Sequence, residues 1–264
     1  MRVSQGQVSR SSVDELRAEL EYYSVKAFAR AVGALSSVLH SNATFKVTRN
    51  GVAMEGLSRD ITQYIAIVLP EAFFTEYSLR GEALVFDVNL KELQQLLKGL
   101  KRDGRVAFKV FDNRVELSVE GVKHVIYTAK PKDIVNPSLL EFKHTVKAVV
   151  DTGLLHKIIE FLSETGEGIS DSEREFEIVA RVNQPHLVIR ANRSKYQAEF
   201  KLNTNVEVAE DSVGRYDART LSGFTPHLMK LSDHATLMYS PGQPLELIAD
   251  TRDMVVRYLL ASRI

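Results

Sequence analysis

VELSVE, residues 115–120, returns as LELIAD at residues 245–250. Upstream of the first copy runs FDVNLKELQQLLKGLKRDG (86–104), and upstream of the second runs YDARTLSGFTPHLMKLSDH (216–234). Downstream, VIYTA (125–129) lies against VRYLLA (256–261). Three matches in one order, each displaced by about 130 residues, read as an internal duplication in which every copy is one supersecondary unit. The order of elements repeats as well. Val25, Phe28, Val32, Leu35 and Leu39 recur at helical spacing. ATFKVTRNGVAMEGL then alternates across Asn50-Gly51, which reads as a hairpin with a primed turn, and YIAIVLP follows as a strand ended by Pro70. In FDVNLKELQQLLKGL, Asn89 suits the N-cap of a second helix whose stripe is Leu90, Leu93, Leu96, Leu97 and Leu100. Strands RVAFKVF, RVELSVE and HVIYTA close the first half.

The two prolines of AKPKDIVNPSLLEF (129–142) interrupt all periodicity, and the order then restarts. TVKAVVD leads into a helix carrying Leu154, Leu155, Ile158, Ile159 and Leu162. FEIVARV, HLVIRAN and YQAEFKLN follow, then a helix from Arg219 to Leu231, then TLMYS, LELIAD and VVRYLLA. The first helix precedes the second by about 65 residues in both halves. The expected division is a Ser-rich extension (1–16), a first domain (17–130), a connector (131–144) and a second domain (145–264). The expected class is α+β, two duplicated domains whose paired helices lie together on one side of antiparallel sheets. Open sheet edges recruit partners, so two such halves are expected to close into a ring.

With 264 residues, 44% hydrophobic and 26% charged, the chain has the composition of a globular protein with room for two cores. The absence of cysteine excludes disulfides, zinc ribbons and thiol nucleophiles. No apolar run reaches the ~20 residues of a membrane span, so no membrane partner is expected. The polar N-terminus lacks the apolar stretch of a secretory signal, giving a cytosolic or nuclear expectation. Lys+Arg and Asp+Glu are 34 each, so any nucleic-acid contact requires positive charge gathered on one face. Catalytic signatures are absent. His40, His124, His144, His156, His186, His227 and His234 show no metal-ligand spacing. GEG at 166–168 lacks the lysine of a phosphate loop, no G-x-S-x-G occurs, and Asp60 and Asp87 suit structural capping. No cofactor is expected.

GVAMEGLSRDITQYIAIVLP, EYSL, DVNLKELQQLLKGLKRDG and QPLELIADTRDMVVRYLLASRI, in this order, resemble the sliding clamps of the proliferating-cell-nuclear-antigen type, archaeal members above all, over residues 17–264. The resemblance implies the DNA clamp fold, a trimeric ring with helices around the hole and sheets outside, and no catalysis. It implies as partners double-stranded DNA passing through the ring unread, DNA polymerase, flap endonuclease and DNA ligase held through short hydrophobic peptide motifs, a clamp loader, and self or paralogous subunits. In a prokaryote the ring would lie at the nucleoid. It places Lys26, Arg30, Lys91, Lys98, Lys101, Arg102, Lys157, Arg219 and Lys230 toward DNA, as phosphate contacts without base reading. It assigns Leu57, Tyr64, Leu139, Leu140, Pro244, Leu259, Leu260 and Ala261 to a peptide pocket, and Val115, Leu117, Val119, Leu187 and Ile189 to subunit edges. A checkpoint-type or partner-restricted subunit of a heterotrimer is the alternative within the fold, and a non-clamp two-domain interaction protein the alternative outside it. Ser58 and Ser262 stand where the family usually has Asp and Pro.

Overall fold

The computed structural model describes residues 15–98, 103–131, 141–164, 174–184, 186–192 and 197–263. The first half runs β1 (Leu16–Tyr22), α1 (Val25–Leu39), β2 (Asn42–Thr48), β3 (Gly51–Leu57), β4 (Gln63–Pro70), a 3-10 turn at Glu71–Phe73, β5 (Phe74–Leu79), β6 (Ala83–Asn89), α2 (Leu90–Leu97), β7 (Val106–Phe111), β8 (Arg114–Val119) and β9 (Val122–Tyr127). The second runs β10 (Val146–Asp151), α3 (Thr152–Glu164), β11 (Glu175–Ala180), β12 (His186–Asn192), β13 (Gln197–Asn203), β14 (Val206–Val208), β15 (Ser212–Asp217), α4 (Ala218–Leu231), β16 (His234–Tyr239), β17 (Leu245–Asp250) and β18 (Val255–Leu260).

The duplication is complete at the level of sheet order. β5-β1-β7-β8-β9 in the first half corresponds to β14-β10-β16-β17-β18 in the second, and β4-β3-β2-β6 corresponds to β13-β12-β11-β15. Antiparallel pairing of β18 with β4 fuses one group from each half into a nine-stranded sheet. The registers correct the sequence alignment. The α2 N-cap, Asn89, corresponds to the α4 N-cap, Asp217, a displacement two residues smaller than the sequence match implied. The turn before β18 (residues 251–254) is longer than that before β9 (120–121), so β9 corresponds to residues 256–261.

Local chemistry sets the elements. Val25, Phe28, Val32, Leu35 and Leu39 are all buried on one face of α1, and Ser24 Oγ caps its start by accepting from Ala27 N–H. The Asn89 side chain accepts from the N–H groups of Lys91 and Glu92; behind it Leu90, Leu93 and Leu97 are buried and Leu96 is partly buried, while Leu100 falls outside the described residues. Of the third helix's expected stripe, Leu154 is exposed and the others are buried. α1 lies between α2 and α4, and α4 between α1 and α3, so the helices form one row, α2-α1-α4-α3, on one side of the sheets. Tyr258 stacks on Phe224 of α4 at 4.1 Å, and its hydroxyl donates to Gln63 Oε1 at 2.9 Å, joining helix row, β18 and β4.

Three expectations fail. The β2–β3 loop is Arg49-Asn50, neither with positive φ, so the turn is not of the primed type. Gly51 instead opens β3 with φ 133°, where an added Cβ would stand 2.2 Å from the Leu69 carbonyl oxygen. The extension stops short of residue 16, because Leu16 already opens β1, a strand paired on both sides. Finally, RVELSVE and HLVIRAN are not edges. β8 lies between β7 and β9, β12 between β11 and β13, and Val115, Leu117, Val119, Leu187 and Ile189 are buried in the core. Alternation marks a buried face, whereas edge position depends on ladder order. The terminal strands of these two sheets are β5 and β9 in one and β13 and β15 in the other.

Candidate functional site

The helix row presents cations away from the core. Lys26 and Arg30 are exposed one turn apart on α1, which contains no acidic residue. Lys91 and Lys98 are exposed on and just after α2, Lys157 on α3, and Arg219 and Lys230 on α4; Lys101 and Arg102 lie outside the described residues. Among the described residues, every Arg or Lys within 4.0 Å of a carboxylate lies on the strands, their loops or the C-terminal segment: Arg17–Asp112, Arg105–Glu21, Lys109–Glu19, Arg190–Glu177 and Arg263–Asp217 are examples. None of the seven described helix cations has such a partner. Some strand cations, Lys46, Lys123 and Lys147 among them, also lack a carboxylate within 4.0 Å among the described residues, so what distinguishes the helix cations is their gathering on one row, the arrangement that phosphate binding requires. α3 contributes least, since Glu160 and Glu164 accompany Lys157. His156 donates to or accepts from Thr225 Oγ1 of α4 at 3.1 Å, a helix–helix contact. Burial, with Lys230 adding to it, holds His227 below the ordinary histidine range, so it adds no charge at neutral pH.

On the opposite face of the nine-stranded sheet, the β4–β18 seam forms a second site. Tyr64, Ala66 and Leu259 make a small apolar cluster separate from the main core, and Phe142 packs on it from the end of the connector. The Tyr64 hydroxyl donates to Glu55 Oε2 at 2.5 Å. Beside the cluster, Glu246 accepts from Arg257 Nε at 2.5 Å and contacts His144 Nε2 at 2.6 Å, which fixes the chain two residues after Phe142. Burial alone would raise the Glu246 carboxyl; the hydrogen bonds from His144 and Arg257 outweigh it and hold it below the ordinary carboxylate range.

Leu57 and Ile61 rim this surface, 40% and 72% exposed. Ile61 has φ 59°, a left-handed conformation that costs a β-branched residue on the order of 1–3 kcal/mol. The turn compensates: Ile61 N–H donates to the Ser58 carbonyl at 2.9 Å, and Ser58 Oγ donates to Asp60 Oδ1 at 2.6 Å while accepting from Gln63 N–H at 3.0 Å. Asp60 is thus a turn residue, and Asp87, which accepts from Thr44 Oγ1 at 2.7 Å, a strand one. Ala261 is exposed, and its N–H donates to the Thr62 carbonyl at 2.8 Å, drawing the C-terminal segment alongside the turn. Pro244 is half-buried between β16 and β17. Leu260 departs from expectation: it faces the main core, one residue out of phase with Leu259. Leu139 and Leu140 lie outside the described residues. The sequence reading missed Ile61 and Phe142, although an isoleucine in a polar turn and an aromatic closing a proline-interrupted connector were visible signals.

A doubled α+β unit with a continuous helix row on one side and sheets on the other defines the subunit class of the DNA clamp fold. Solved structures carry that fold over nearly the whole chain. Proliferating cell nuclear antigen of Entamoeba histolytica gives a TM-score of 0.80 at 16% identity, covering 95% of this chain and 100% of that one. That of Thermococcus kodakaraensis gives 0.78 at 20% identity, with 93% and 100% covered, and a complex of two such proteins from Sulfolobus tokodaii gives 0.78 at 18%, with 93% and 99% covered. Curated relatives bear the same resemblance. A DNA polymerase sliding clamp of Pyrococcus horikoshii is 25% identical over 256 residues, and DNA polymerase sliding clamp 1 of Pyrobaculum aerophilum 24% over 252, each match spanning 93% of this chain and 98% of the relative. No family model matches the chain.

Proposed function

We propose that this chain is a subunit of a DNA polymerase sliding clamp, a processivity factor that encircles duplex DNA in a ring of three and catalyses nothing itself. The observation that carries the reading is the helix row with its unpaired Lys26, Arg30, Lys91, Lys98, Lys157, Arg219 and Lys230. Such side chains hold phosphates without reading bases, so the ring slides. The surface formed by Leu57, Ile61, Tyr64, Phe142, Leu259 and Ala261 receives the short hydrophobic motif of a polymerase, flap endonuclease or ligase, apolar anchors entering the seam and flanking backbone pairing with the C-terminal segment. A clamp loader opens the ring, which works at the chromosome.

The test is processive primer extension on circular template with polymerase and loader. Product length rises with the wild-type chain; it falls to the clamp-free level when Lys26, Arg30, Arg219 and Lys230 are changed to Glu, while affinity for a motif peptide stays unchanged. Full stimulation by this variant across a salt series would refute the assignment of the helix row.

A further inference from the structure

One row of side chains crosses the outward face of the nine-stranded sheet. Glu246 stands opposite Leu259 in the β17–β18 ladder, Leu259 opposite Tyr64 in β18–β4, and Tyr64 opposite Leu57 in β4–β3. The end of the connector lies over this row. His144 Nε2 is 2.6 Å from Glu246 at one end, Phe142 packs on Tyr64 and Leu259 in the middle, and Leu57 is left 40% exposed at the other. Beyond His144 the backbone is held separately: Thr145 N–H donates to Ser240 Oγ at 2.8 Å, and the Thr145 carbonyl accepts from Ala209 N–H at 2.8 Å. His144 is therefore the side chain that ties the connector end to the row, its ring centroid 6.3 Å from that of Phe142.

A histidine at this place carries a penalty. Glu246 is 4% exposed and ionised, so its carboxylate only accepts, and the hydrogen between the two side chains sits on Nε2. Nδ1 is then buried with no partner among the described residues. Protonating it changes nothing, since an N–H there would equally lack an acceptor. A buried polar atom left without a partner is destabilising. Charge balance does not call for the imidazole either, because Arg257 Nε already donates to Glu246 at 2.5 Å. What the ring supplies is reach from the connector end to β17, beside Phe142.

We propose that His144 is a positioning residue for the peptide surface: by bonding Glu246 it sets Phe142 over Tyr64 and Leu259, and so shapes the wall against which a partner's apolar anchor packs, without touching the partner itself. This role rests on the peptide-binding reading of the seam and adds to it a residue outside the surface that governs its affinity. A wall already in place spares the binding step the ordering of the connector end.

The experiment is calorimetry of the full chain with a synthetic peptide carrying Gln-x-x-Leu-x-x-Phe-Phe, with thermal melts to establish that every variant is folded at the assay temperature. His144→Gln keeps an amide N–H where Nε2 stood and is expected to bind within about twofold of wild type. His144→Asn, whose amide reaches only the Nδ1 position, and His144→Ala are each expected to bind about tenfold more weakly. Phe142→Ala should weaken binding too, and adding His144→Ala to it should cost nothing further, because both act through one contact. Support of the fold alone would lower the melting temperature without separating Gln from Asn and without that non-additivity. Wild-type affinity in His144→Asn and His144→Ala would overturn the inference alone, as would a Gln variant no better than Asn or losses that add in the double variant. A wild type that binds no peptide would remove the peptide reading of the seam and this inference together.

Discussion

Glu246 is where burial and charge are balanced most tightly. Its carboxylate is nearly enclosed, yet Arg257 and His144 together keep it ionised below the ordinary glutamate value of 4.5. Because the unfolded chain binds that proton at higher pH than the folded one, the stabilisation is complete above about pH 4.5 and is lost as pH falls through the lower folded value. Urea midpoints measured from pH 7 to pH 3 should therefore decline at the acid end, and Glu246→Gln should lower the plateau and flatten that decline; an unchanged slope would mean that other carboxylates govern it. Gly51→Ala is a second test at this scale. It forces a Cβ into the Leu69 carbonyl at a φ that alanine rarely adopts, and should cost more than the ~1 kcal/mol of a simple strained turn, read from the denaturation midpoint. Residue type alone hid the phase of the seam's outward face: Leu259 and Leu260 are chemically identical, and only the pleat decides that the first faces Phe142 and the second the core.

Among the elements, the helices were legible because a 3.6-residue stripe and a capping residue are both written locally. Asp217 illustrates how much one cap carries. Its Oδ1 accepts from Thr220 N–H at 2.7 Å and its Oδ2 from Arg263 at 2.7 Å, so Asp217→Ala should destabilise by about 1–2 kcal/mol and release the C-terminal segment, detectable as faster amide exchange at Arg263. Strand β1 was missed although Ala18, Leu20 and Tyr22 alternate inward, because Leu16–Tyr22 is rich in Leu, Ala, Glu and Arg, residues that favour helices. The exposed helix cations were legible for the converse reason: on an amphipathic helix the polar side is fixed once the apolar stripe is known. Their function should show in salt dependence. Reversing Lys26 and Arg30 together should lower the slope of log affinity for duplex DNA against log salt by about 2, measured on the assembled ring by fluorescence anisotropy.

At the scale of the molecule, the buried side chains of both halves form one core cluster, and β18–β4 pairing, the Tyr258 hydroxyl on Gln63 Oε1 and the hydroxyls of Tyr22 and Tyr23 on Asp253 all cross between halves. The halves should unfold in a single transition. A protease site introduced within residues 132–140 and then cut should leave both pieces eluting together where the uncut protein elutes; separation into two smaller species would show that the connector, not the sheet, holds them.

Because one connector joins the halves, the β18–β4 seam forms within a single molecule. Residues tethered through a short connector meet at an effective concentration on the order of millimolar, whereas an untethered edge must find its mate at whatever level the cell supplies. The tethered strands can therefore dispense with a cross-strand ion pair, setting Ala66 opposite Arg257. Arg257 turns instead to Glu246 on the neighbouring strand β17. Covalent linkage thus lets main-chain pairing and apolar packing hold the two halves together.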